Sequence, residues 1–158
     1  MPVKQGRVSH LVMVDVENLA GTASPTQAQA AAVAGLVAEV IQNFDGAQVV
    51  IACSHHAALV VAFAFRSARQ LWRSGPNGAD LALLEVLETE RVDERFQYVT
   101  VCSGDGIFSD VVAWLGSRQV EVTVVALRGH LSTRLRLAAR HVHEVPVALV
   151  AVEAGGLS

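Results

Sequence analysis

Three short segments each place a carboxylate where an apolar run gives out: Val12-Met13-Val14-Asp15-Val16-Glu17-Asn18, Gly75-Pro76-Asn77-Gly78-Ala79-Asp80, and Val101-Cys102-Ser103-Gly104-Asp105-Gly106. An aspartate withdrawn from water is costly unless a cation or hydrogen-bond donors stand beside it. Three of them meeting at one end of a sheet would suit a hard, oxygen-preferring metal, Mg²⁺ or Mn²⁺. Glu17 either joins such a metal or faces solvent. Asn18 either holds a loop or orients a metal-bound water.

Each carboxylate also has a plainer reading. Asp15 can cap nearby backbone N–H groups at the start of a loop. Asp80 falls in the first turn of a helix, where the dipole favours a negative charge. Its spacing with Leu84 and Leu87, however, turns it toward the apolar side, where it needs a partner; Glu85 and Glu88 mark the wet side. Ser103 or Asp105 can cap the helix that follows. Asp110 lies about 7.5 Å beyond Asp105 along a helix axis. That is too far to share one metal, so Asp110 either supports the site, faces RNA, or faces solvent.

The elements that must carry these residues alternate. Val8–Asp15, Gln48–Cys53, Phe96–Cys102 and Val120–Ala126 read as strands buried on both faces, and Val142–Val145 as a short edge strand. Ser24, Pro25 and Gln27 supply a helix start. Val33, Leu36, Val37, Val40, Ile41 and Phe44 mark that helix's inward face, and Asp45-Gly46 ends it. Ala57–Phe65 is apolar all round, predicting a deeply packed helix that turns basic at Arg66, Arg69 and Arg73 beside Trp72. Further helices are expected from Asn77 to about Val92, from Asp105 to Gly116 and from Leu131 to Arg140.

Strand–helix alternation means an α/β fold: a three-layer α/β/α sandwich with a mostly parallel central sheet. Right-handed crossovers favour the strand order second, first, third, fourth, with the short edge strand last. The order reverses between the strands that end at Asp15 and near Ser103, and ligands of open α/β sheets bind at such a switch point. His55 and His56 follow the second strand and point opposite ways, so one of them lining the cleft is expected rather than a joint metal site.

At 158 residues, 52% of them hydrophobic and 17% charged, the chain is expected to form one domain with a sizeable core. Residues 1–146 form that domain and 147–158 a short tail. The apolar excess and the Val147–Val152 segment suggest a homodimer. Gln48, Ser54, His55 and His56 interrupt the charge-free stretch from Gly46 to Phe65, so no membrane span is expected. No signal peptide is expected at the start. Cys53 and Cys102, each in a buried strand, suit a reducing compartment, and a cytoplasmic protein is expected.

A net charge of −3 argues against a general polyanion binder. Yet no acidic residue falls between Val122 and His143, while Arg128, Arg134, Arg136 and Arg140 do. Arginine matches phosphate because its planar fork donates paired hydrogen bonds. Arg134, Arg136 and Arg140, with Arg66, Arg69, Arg73 and a stacking Trp72, are the candidate RNA-binding residues; a solvated helix face is the alternative. Phosphate-binding glycine loops, dinucleotide fingerprints and the Gly-x-Ser-x-Gly elbow are all absent.

The chain resembles the NYN branch of the PIN-like nucleases. The resemblance rests on Asp15-Val16-Glu17-Asn18, Gly78-Ala79-Asp80-Leu81-Ala82-Leu83 and Val101-Cys102-Ser103-Gly104-Asp105-Gly106-Ile107-Phe108, and spans about Val8 to Val145. It implies a PIN-like, Rossmann-like fold and metal-dependent cleavage of RNA, single-stranded by expectation, with Asp15, Asp80 and Asp105 as the acidic positions. One departure is plain: NYN proteins commonly carry a second aspartate where this chain has Ile107. Either the site works with three aspartates plus Glu17, Asn18 or Asp110, or it only binds nucleic acid. A receiver or a dehalogenase-like phosphatase also sets aspartates at strand ends. The first would want a late lysine, and the second an aspartate at the position of Glu17.

Overall fold

Val, Leu and Ile dominate the strands because a parallel strand covered on both faces has no wet side. The computed structural model describes residues 9–41, 46–147 and 150. Its strands are β1 (His10–Asp15), β2 (Gln48–Cys53), β3 (Arg69–Trp72), β4 (Tyr98–Cys102), β5 (Glu121–Leu127) and β6 (His141–Val145). They form one parallel sheet in the order β3-β2-β1-β4-β5-β6. Central β1 is buried along its whole length.

Helices α1 (Val16–Ala20), α2 (Gln27–Ile41) and α3 (Ala58–Ala64) lie on one face of the sheet, where Leu19, Val33, Val37 and Val61 pack on Val12, Val14 and Ile51. On the other face lie α4 (Gly78–Thr89), α6 (Ser109–Ser117) and α7 (Thr133–Ala138), with short α5 (Val92–Arg95) beside them. There Leu83, Leu87, Val112, Leu115 and Leu135 pack on Met13, Val99, Val101 and Val124. The result is a three-layer α/β/α sandwich. No helix of the described residues is long and apolar enough to cross a membrane.

The order read from the sequence is the order found, with one strand added. Arg69–Trp72 is not the basic end of a helix. It is edge strand β3, paired in parallel with β2 from Val50↔Arg69 to Cys53↔Trp72. Four residues are too few to display a period, and hydrogen bonds to β2 decide their conformation. The preceding helix is also less buried than its composition predicts. Leu59 is 78% and Phe63 60% exposed, because this helix turns one stripe to the core, Ala57, Val61 and Phe65 with partly buried Ala64.

The start of α2 is shifted from Ser24 to Thr26. Thr26 N donates to Gln29 Oε1 at 2.8 Å and Gln29 N donates to Thr26 Oγ1 at 3.1 Å, a complete capping box. Pro25 disfavours a helical conformation at Ser24, leaving Thr26 to cap. A 3-10 turn, Gly106–Phe108, precedes α6. Cys53 and Cys102 are both free and buried. Phe44, Asp45 and most of the 147–158 tail lie outside the described residues. Of that tail, Val150 is buried on the α1/α2 face.

Candidate active site

The chain leaves β1 toward β2 on one side, whereas from β4 it goes on to β5 on the other, so a crevice opens beyond the carboxyl ends of these two neighbours. Val14 pairs with Cys102 in the ladder, which sets Asp15 beside Ser103. Asp15 is only 3% exposed. Its Oδ1 caps α1 by accepting from Asn18 N at 3.3 Å, and its Oδ2 accepts from Ser103 Oγ at 3.3 Å.

Asn18 closes the crevice from the β1 side, its Oδ1 accepting from Gly104 N at 3.0 Å. A Cβ at Gly104 would collide with the His130 backbone carbonyl, so the loop tolerates only glycine there. Ser103 Oγ also accepts from Asp105 N at 3.2 Å, and Asp105 Oδ1 accepts from Ile107 N at 3.0 Å to cap the 3-10 turn. Thus Asn18 holds a loop, and Ser103 steadies both flanking aspartates.

Asp80 arrives from outside the sheet, on the first turn of α4. Gly78 makes this possible, because its Cα lies against the Arg73 carbonyl where a side chain would not fit. Asp80 is 8% exposed and has the carboxyl groups of both Asp15 and Asp105 within hydrogen-bonding reach. Burial first, then Asp15 and Asp105, push its pKa up to about 10. Burial likewise raises that of Asp15, against hydrogen bonds from Asp80, Asn18 and Ser103. Among the described residues no Lys, Arg or His forms an ion pair with any of the three. As the chain stands, a proton on Asp80 relieves the repulsion.

The donor set is all hard carboxylate oxygen and lacks a compensating cation, which is the chemistry Mg²⁺ or Mn²⁺ fits. No three His, Cys, Asp or Glu side chains among the described residues are already arranged around one metal point. Instead Asp80 has two carboxylates within reach. A cavity of about 200 Å³ adjoins Asp15 and Asp80; Glu17, Asn18, Ser54, Arg73 and residues of the turn before Asp80 also line it. A larger cavity, about 740 Å³, lies at the opposite end of the sheet around Val50, Phe65 and Phe96. Its one acid, Glu90, is already paired with Arg69 and Arg95, so it lacks the convergent carboxylates of the smaller one.

The supporting candidates divide. Glu17 Oε1 accepts from Ser54 N at 2.8 Å and from Ser54 Oγ at 2.5 Å, tying α1 to the end of β2. His56 Nε2 lies 3.1 Å from Ser54 Oγ and 2.7 Å from the Ala23 carbonyl, while His55 bonds Ser74 Oγ at 2.8 Å. Asp110 is almost wholly exposed and pairs with Arg134 at 3.4 Å.

The arginines are not gathered into one track. Arg69 holds Glu90 through two hydrogen bonds of 2.7 and 2.9 Å at the start of β3. Arg140 meets Glu121 at 3.6 Å at the start of β5. Both positions are at the end of the sheet opposite the aspartates. Arg66 stacks over Phe63, and Arg136 pairs with Glu144 at 2.9 Å. Among the described arginines only Arg73 lines the acidic cavity, with half-exposed Trp72 next to it in sequence at the carboxyl end of β3.

Two contributions were missed in the sequence. Ser54 directly follows β2 at the same end as Asp15, a position that marks it as a neighbour. The 130–132 loop packs on Gly104 and Gly106, and a Cβ at Gly106 would lie 2.8 Å from Ser132 Oγ. The glycines signalled a close approach without naming what approaches.

No family model and no curated protein sequence matches the chain. Among solved structures, a protein of unknown function from Vibrio parahaemolyticus RIMD 2210633 superposes with a TM-score of 0.60 at 16% identity, over 90% of this chain and 96% of that one. A candidate Mar1 ribonuclease from Leishmania major gives a TM-score of 0.44 at 13% identity, over 95% of this chain and 84% of that one. The Vibrio likeness is one of fold.

Proposed function

We propose that the protein is a Mg²⁺- or Mn²⁺-dependent ribonuclease hydrolysing phosphodiesters at the pocket of Asp15, Asp80 and Asp105. One observation carries this reading: Asp80, buried, stands within reach of two further carboxylates, and among the described residues no cationic side chain is paired to any of them. A fold tolerates such an arrangement at a cost in stability, and a divalent cation turns the cost into affinity.

Asp15, Asp80 and Asp105 are the residues that would hold the metal. When bound, it would supply an attacking hydroxide and neutralise charge on the phosphate. Ser103 and Asn18 fix the orientation of Asp15 and of the loop carrying Asp105. RNA as substrate follows the NYN resemblance. Half-exposed Trp72, next to Arg73 in sequence, favours an unpaired strand, whose bases are free to stack. The test is cleavage of mixed single-stranded RNAs by purified protein with and without Mn²⁺. Wild type should cut only with metal, and Asp15→Asn and Asp80→Asn should not cut. Equal cleavage by wild type and both variants would overturn the proposal.

A second reading has its own observation. Ile107, at the position where NYN proteins commonly carry an aspartate, packs against the core on the α4/α6 face. A branched aliphatic cannot bind metal, and on this reading the pocket binds RNA without cutting it. RNA affinity that persists in EDTA, with no cleavage in Mn²⁺, is the result that selects it.

A further inference from the structure

An acidic pocket that takes a polyanion must draw it in against its own charge. Among the described residues that line this pocket one is cationic, Arg73. Its backbone is held twice: Arg73 N donates to the Cys53 carbonyl at 3.0 Å, and the Arg73 carbonyl lies against Gly78. The guanidinium is held far less firmly. Its partner is Glu85, on the wet side of α4, through one contact of 3.3 Å, with side chains 48% and 65% exposed. This differs from Arg69, whose two parallel hydrogen bonds to Glu90 leave no edge of that pair idle.

An exposed, single-contact ion pair contributes little, and a phosphate offering two oxygens competes well for the same planar fork. We propose that Arg73 takes hold of the substrate phosphodiester at this pocket, and that Glu85 restrains it by competing with that phosphate for the guanidinium. The inference rests on the ribonuclease reading for its substrate class, but Arg73 acts in binding and not in bond cleavage. Arg73 therefore serves as a positioning residue rooted directly after β3, with Glu85 as an internal anion the substrate must displace. Gly78 belongs to the same device, since its missing side chain lets the Arg73 backbone sit directly on the start of α4.

The experiment measures binding of a fluorescent single-stranded oligouridylate in EDTA across a salt series, and Mn²⁺-dependent cleavage of the same oligomer. The proteins are wild type, Arg73→Ala, Arg73→Lys, Glu85→Gln, the Arg73→Ala/Glu85→Gln double variant and Asp15→Asn. Glu85→Gln should tighten binding about two- to fivefold, and this gain should vanish in the double variant. Arg73→Ala should weaken binding and flatten the slope of log K against log salt by about 0.7, one phosphate contact. Arg73→Lys should restore the slope but only part of the affinity. Cleavage by Arg73→Ala should fall through KM with kcat retained.

Binding and slope unchanged in Arg73→Ala overturn the proposal, as does a Glu85→Gln gain that persists without Arg73. These outcomes are separable from the parent reading. If Asp15→Asn cuts as well as wild type, or wild type never cuts, the nuclease assignment fails while the Arg73 binding result stands on its own.

Discussion

Asp80 and Asp15 reach each other from different architectures, one on the first turn of α4 and the other on the last residue of β1, and both are buried. No backbone constraint forces two carboxyl groups to share so little water. Burial raises the pKa of both, and Asp15 and Asp105 raise that of Asp80 further, while the hydrogen bond from Asp80 works against the rise at Asp15.

The first consequence is a metal-dependent gain in stability. A cation that binds only the folded chain stabilises it by about 2.7 kcal/mol at a hundredfold excess over Kd. Mn²⁺ should therefore raise the melting temperature of wild type, measured by calorimetry or dye fluorescence. Asp80→Asn and Asp15→Asn should lose most of that rise. A shift of equal size in all three proteins would place the metal elsewhere.

The second concerns pH. Asp80 titrates at its ordinary 3.8 in the unfolded chain and near 10 in the fold. Between those values the folded chain binds more protons than the unfolded one, so stability is greatest at low pH and declines as pH rises. Asp15 acts in the same direction. Metal-free wild type should therefore lose melting temperature more steeply than Asp80→Asn between about pH 5 and pH 9. Groups common to both proteins, His10 among them, largely cancel in the comparison. Parallel pH curves for the two proteins would refute the shared burial of charge.

Glu17 supplies a third prediction, because its carboxylate accepts two hydrogen bonds from Ser54. Glu17→Ala leaves both donors without that partner and should cost about 1–3 kcal/mol in urea unfolding. Glu17→Gln keeps an acceptor and should recover most of the stability. A metal ligand behaves otherwise: the glutamine variant would then lose Mn²⁺ affinity while remaining well folded.

Gly104→Ala is the fourth. The new methyl meets the His130 carbonyl, which belongs to the loop packed over the site. Overpacking of this kind costs about 1–3 kcal/mol, and here it should also weaken Mn²⁺ binding, because Asp105 is the next residue. Gly116→Ala, which meets nothing, is the control. It should be neutral or mildly stabilising, since helical Gly is less favourable than Ala by about 1 kcal/mol.

Much of the fold was legible because its signals are local. Val12-Met13-Val14 and Val99-Thr100-Val101 announce buried strands by composition, and the helices between them require parallel pairing. Right-handed crossovers then place Asp15 beside the Ser103–Asp105 loop from the order of the elements alone. The inward phase of Asp80 against Leu84 and Leu87 was equally readable, since helical spacing alone defines a face.

What tertiary structure alone decided was where partners come from across the chain. Arg-Gln-Leu-Trp becomes a strand because β2 offers it a free edge, and Leu59 and Phe63 stay in water because α3 turns one stripe to the core. Glu17 is engaged by Ser54 and Asp110 by Arg134, while Arg69 and Arg140 fall at the end remote from the aspartates. Composition and period report which way a residue faces relative to its own element. Which charge meets which depends on distances between elements, and there the fold singles out Arg73 and surrounds Asp80 with acid.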